Sequence, residues 1–256
     1  MTDRYVVHSN INYALHARGF WLSTIGMTVA VLVASLQKIL DFSQGTVVMQ
    51  YGFHATLMMD ALKSDTVMLM LPLLCTLPFA TSYVDDVKSG FLKLYLHRSG
   101  VKPYLKSKLI ACGLSGGFSL VLGILVAYVL ALLVFLPMEP APNPAKDVTP
   151  YFAQLLAQAV LFFVSGAFWA LVGFLFASLT MSKYMAYASP FIMYYILIIL
   201  HERYFQDLYV LYPKEWIFPQ GPWFMGNLGV VLLLGGFICV VCLVFTITVG
   251  RKMCNV

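Results

Sequence analysis

The chain has 256 residues, of which 61% are hydrophobic and only 11% charged, with a net charge of +5. A soluble domain is about 45–50% apolar and about 25% charged, so this chain has too few charges to cover a water-facing globule. That excludes most soluble enzyme classes. The net charge does not point to nucleic acid, because the basic residues are gathered between apolar stretches and form no stripe.

Six stretches contain no Asp, Glu, Lys or Arg: Phe20–Leu36, Thr66–Val84, Leu109–Pro137, Tyr151–Met181, Tyr184–Leu200 and Gln220–Gly250. All charged residues lie between or outside them. A charge at the bilayer centre costs roughly 2.5–3.5 kcal/mol on insertion scales, and a span needs about 20 apolar residues. The expected fold is therefore an all-α membrane protein, a single transmembrane domain over 1–256. Its six spans are predicted at 20–36, 66–84, 109–137, 151–181, 184–200 and 227–249.

In chain order, residues 1–19 are polar, and Ile11, Leu15, Arg18 and Phe20 fit a short helix lying on the inner membrane surface. Phe20–Leu36 is expected to be an uncleaved first span, being longer than a usual signal h-region and following a 19-residue leader. Residues 37–65 form an outer loop with apolar residues such as Phe42, Tyr51 and Phe53, predicted to be partly helical. Residues 85–108 are the main inner loop and hold six of the sixteen basic residues. The 138–150 loop is stiffened by Pro140, Pro142, Pro144 and Pro150. Ser182 and Lys183 make a tight inner turn. Residues 201–219 form an aromatic outer segment with an interfacial character.

With alternate sides assigned, eleven basic residues fall on one side and five on the other. The positive-inside rule then puts both termini in the cytoplasm of a multi-pass plasma-membrane protein. Cys75, Cys112, Cys239 and Cys242 lie in spans and Cys254 in the inner tail, so no disulfide framework is implied. Cys239 and Cys242, a CxxC inside an apolar span, read as packing residues.

The inner loop runs DDVKSGFLKLYLHRSGVKPYLKSKL from Asp85 to Leu109. Val87, Phe91, Leu94 and Tyr95 recur at helical spacing on one apolar face, while Lys88, Lys93 and His97 lie mostly on others. Ser99-Gly100 breaks the pattern, and Pro103 suits the first turn of the next helix. This predicts a short amphipathic helix on the inner surface. As a basic surface it would anchor to anionic lipid; as an amphipathic one it would dock a cytoplasmic partner.

Asp85 and Asp86, Gly90, Leu92, Leu96, Ser99, Tyr104 and Lys108, in that order, resemble the first inner loop of the type-2 permease family, the membrane subunits of ABC exporters. Two positions depart from the family pattern: Asp-Asp replaces the usual Glu, and Phe91 follows Gly90 in place of Thr. The six spans, the tight Met181–Tyr184 turn and the apolar His201–Gly226 segment extend the resemblance along the chain. It implies that Asp85, Asp86, Val87, Gly90, Phe91, Leu92, Leu94, Tyr95 and Leu96 form a coupling helix against an ABC ATPase subunit, with Ser182 and Lys183 as a second contact. It further implies an exporter of hydrophobic or amphipathic cargo, assembled from two permease chains, as a homodimer by default, and two ATPases.

The chain has no G-x-x-x-x-G-K-[ST], so ATP and Mg would sit on the partner, with no cofactor, metal or catalytic residue here. Rival readings find less in the residues. Gly113-Leu114-Ser115-Gly116-Gly117 matches G-x-S-x-G, but no span holds a His or Lys to act as base. A secondary carrier would need ionisable residues within its spans. His8, His16, His54, His97 and His201 are too scattered for a metal site. A non-transporting membrane scaffold shares the same charge partition and differs only in its partners.

Overall fold

The computed structural model describes residues 3–44, 51–92, 100–140 and 151–254. Among them the chain is helical and forms no strand. The helices are α1 (Asp3–His16), α2 (Arg18–Ser43), α3 (Phe53–Lys63), α4 (Asp65–Leu74), α5 (Ser82–Lys88), α6 (Val101–Phe135), α7 (Tyr151–Thr180), α8 (Lys183–Arg203) and α9 (Asn227–Cys254). Five of these (α2, α6, α7, α8 and α9) are long and apolar enough to cross a membrane.

Hydrogen bonds and ring contacts fix their directions. Ser23 bonds Ser119 and Thr28 bonds the Gly123 carbonyl, at nearly constant sequence offset, so α2 and α6 run parallel. Asn10 to Ser107 keeps the same offset, so α1 continues the line of α2 along α6. The short helix expected before the first span is present, and it packs on the bundle through a buried face carrying Val6 and Ala14, while Tyr5 and Tyr13 are exposed. Helix α7 returns antiparallel to α6, with a Cβ placed on Gly117 meeting Phe163 and one on Gly113 meeting Leu171. Helix α9 runs parallel to α7, with Phe168 on Phe237 and Phe174 on Phe245.

The starts of α2, α6 and α8 and the ends of α7 and α9 therefore share one end of the bundle. Arg18, Lys102, Lys106, Lys108, Lys183, Arg251 and Lys252 gather there, so it is called the basic end. Several helices run past the expected limits. Helix α6 has 35 residues, about 52 Å at about 1.5 Å per residue against a hydrocarbon core of about 30 Å.

The second expected span, 66–84, is not a continuous helix. Ser64 caps α4 by accepting the Val67 N–H. The helix then stops at Leu74, and residues 75–81 are turns before α5 begins. Pro72 removes one backbone donor and Pro78 a second, six residues on, and each ring crowds the preceding turn. The interrupted backbone is buried among other helices. A Cβ on Gly19 would lie 2.1 Å from the Leu77 carbonyl oxygen, one on Gly116 2.8 Å from the Cys75 oxygen, and one on Gly173 2.9 Å from Thr76 Cγ2. Three helices thus each present a glycine to the break, giving its non-helical backbone a protein environment. Lipid tails supply no hydrophobic drive between helices, so close approach of this kind, with its dispersion contacts, holds the bundle together.

Candidate functional site

The basic end contains the residues singled out from the inner loops. Helix α5 starts just after the break, and its Asp85 and Asp86 project to different partners. Asp86 Oδ2 accepts from the Tyr104 hydroxyl at 2.6 Å and from Lys108 Nζ at 2.8 Å. Tyr104 and Lys108 are one turn apart on α6, so one helix face delivers both donors to one carboxylate. Lys108 is 5% exposed, and its ammonium also lies 4.8 Å from the Phe79 ring centroid and 5.7 Å from that of Tyr104. A buried ammonium is tolerable here because carboxylate, hydroxyl and ring faces all meet it.

Asp85 faces the other way. It accepts from Thr81 Oγ1 at 3.1 Å and pairs with Lys183, the first residue of α8. Both side chains are about half exposed. The structure thus brings together Asp85 and Lys183, residues of the two inner connections that the sequence named separately. Ser182, the residue before α8, is partly buried and sits in extended conformation. Met181 before it has φ 54°, which sharpens the reversal between α7 and α8.

Two expectations change. The amphipathic helix was expected to run from Asp85 to Leu96, but α5 ends at Lys88, followed by Ser89 and by Gly90 at φ +74°. That left-handed conformation ends a helix readily in glycine, so the predicted helix is interrupted there, and helical backbone resumes at Phe91 and Leu92. Val87 and Leu92 are partly buried against the core, and Phe91 is exposed. Leu94, Tyr95 and Leu96 lie outside the described residues. Second, Lys108 was placed in the inner loop, ahead of a span starting at Leu109. Helix α6 instead starts at Val101, with Pro103 in its first turn as predicted, and carries Lys108 into the bundle. The spacing of Tyr104 and Lys108 was the sequence signal for this pairing, but their common acceptor could only be seen once α5 was in place.

Between α1, the break, α5, α6 and α8 lies a cavity of about 980 Å³. Its walls include Asn10, Tyr13, Gly19, Phe79, Thr81, Ser82, Asp85, Asp86, Gly90, Phe91, Tyr104, Lys108 and Tyr187. Ser82 is 7% exposed, and its hydroxyl has no hydrogen-bond partner among the described residues.

The opposite end is closed by a different carboxylate. Glu139 accepts from the backbone N–H groups of Gly52 and His54, at 3.0 and 2.8 Å, and from His54 Nδ1 at 2.7 Å. These are orphan donors at the start of α3, so Glu139 caps that helix from a distant part of the chain. Burial raises the Glu139 pKa, but the His54 and Gly52 hydrogen bonds outweigh it and hold the carboxyl below its usual range.

The G-x-S-x-G stretch has a structural role. Gly113, Gly116 and Gly117 form the close approach of α6 to α7, and the Ser115 hydroxyl donates to the Cys112 carbonyl of its own helix. Among the described residues no group of three His, Cys, Asp or Glu side chains is placed to hold a metal ion, and Cys75, Cys112, Cys239 and Cys242 are free thiols. No known protein family, curated protein or solved structure matches the chain.

Proposed function

We propose that this chain is the membrane subunit of an ATP-driven exporter, working with separate ATPase subunits that bind ATP and Mg. In this reading α4, the buried break and α5 together make the second of six crossings. Both termini are cytoplasmic, and two copies of the chain form the pathway for a hydrophobic or amphipathic cargo.

The observation that carries the reading is the Asp85–Lys183 pair at the basic end. It sets α5 beside the start of α8, so both connections present one continuous surface to a partner. Behind it, Asp86 grips α6 through Tyr104 and Lys108. A cytoplasmic ATPase pressing on this surface would move α6 and α8 as a unit, with the interrupted α4–α5 segment as the compliant element between them. Rigid helices transmit force, and a turn-rich break absorbs the change in angle.

The test is purification of the full chain from its native host in mild detergent, with identification of what accompanies it. A stoichiometric P-loop ATPase is expected, and Gly90→Pro should release it while the chain stays in the membrane. Proline cannot adopt the φ of +74° found at Gly90. A chain that is stable alone, with no ATPase, would overturn the proposal and leave a membrane scaffold.

A further inference from the structure

We infer that the cavity at the basic end is a binding site for a lipophilic organic cation, held between the rings of Tyr13 and Tyr187 and the Asp85 carboxylate. The inference does not depend on an ATPase partner, because every group it uses belongs to this chain.

The volume, about 980 Å³, is at the upper end of the roughly 300–1,000 Å³ of small-molecule sites. The wall beside the break already holds one cation: the Lys108 ammonium sits over Phe79 and Tyr104 and against Asp86. That pair is buried and stays as part of the wall, since parting it would leave an uncompensated charge.

Asp85 is different. Its partner Lys183 is half exposed, and an exposed ion pair contributes only about 0–1 kcal/mol, so its carboxylate can turn to a ligand at little cost. Among the described residues, two carboxylates and one ammonium line the cavity, and the ammonium is already engaged. An incoming anion would therefore find the wall ammonium taken, while a cation that draws Asp85 from Lys183 meets a carboxylate and ring faces and leaves the lysine in water. The unpartnered Ser82 hydroxyl in the same wall is a polar group awaiting a partner. Discontinuous helices beside such cavities are where membrane carriers place ligand-binding groups.

The experiment uses the purified full chain in neutral detergent with two probes of matched size and shape, tetraphenylphosphonium and tetraphenylborate. Saturable binding of the cation is expected, with Asp85→Asn and Tyr187→Ala each weakening it about tenfold. Tetraphenylborate should neither bind saturably nor compete. Equal binding of both ions, preference for the anion, no saturable binding, or a cation affinity unchanged in both variants would overturn the inference. Melting of each variant without probe separates lost binding from lost fold.

Discussion

Alanine substitution at glycines should give opposite signs at two sites, depending only on what surrounds the new methyl group. In a helix interior, alanine is favoured over glycine by about 0.8–1.0 kcal/mol. At Gly235, within α9, no described atom beyond its own local helix backbone and chain neighbours lies within 4 Å of the new Cβ, so Gly235→Ala should keep most of that gain. At Gly19 the Cβ would sit 2.1 Å from the Leu77 carbonyl oxygen and 2.9 Å from its carbon. Both are backbone atoms of the buried break and cannot swing aside as a side-chain tip would. An ordinary contact is about 3.5–4.0 Å, so α2 and the 75–81 segment must part by more than an ångström. Overpacking of this kind costs about 1–3 kcal/mol. Gly19 is the second residue of α2 and lies outside the helix interior, so Gly19→Ala should lose roughly 1–3 kcal/mol while Gly235→Ala gains up to about 1. Thermal or SDS-induced unfolding of the purified chain in detergent reads both. If Gly19→Ala proved as stable as Gly235→Ala, the close seating of the break against α2 would be refuted.

Two further outcomes are expected. Lys108→Met should destabilise the chain by about 3 kcal/mol, since it leaves Asp86 without its buried countercharge; adding Asp86→Asn should recover part of that loss. Strictly additive losses in the double-mutant cycle would show that the two side chains do not interact. At the opposite end, the Glu139 pKa is lower in the folded chain than the usual value near 4.3, so its stabilisation is fully present above that pH. It disappears as pH falls through the folded value. Glu139→Gln should cost about 1–2 kcal/mol at neutral pH and flatten the acid limb of the stability curve. An acid limb unchanged by the substitution would remove Glu139 from that role.

Charge segregation along the chain determined its membrane-helix character and where its apolar segments lie, because a charge in hydrocarbon is costly, and the described residues are helical as expected. Pro103 in the first turn of α6 and the tight reversal at Ser182 were also legible, since proline and turn chemistry act locally. Pro72 and Pro78 carried the signal for a break within 66–84, but composition reads that stretch as one apolar run. Only the glycines of three other helices decide that the break can be buried.

What tertiary structure alone decided is pairing at a distance. Asp86 with Tyr104 and Lys108, Asp85 with Lys183, and Glu139 with the first turn of α3 each join residues far apart in sequence. Periodicity reports which face of a helix is apolar. It cannot report which carboxylate waits opposite a lysine, because that depends on the directions and offsets of helices packed side by side.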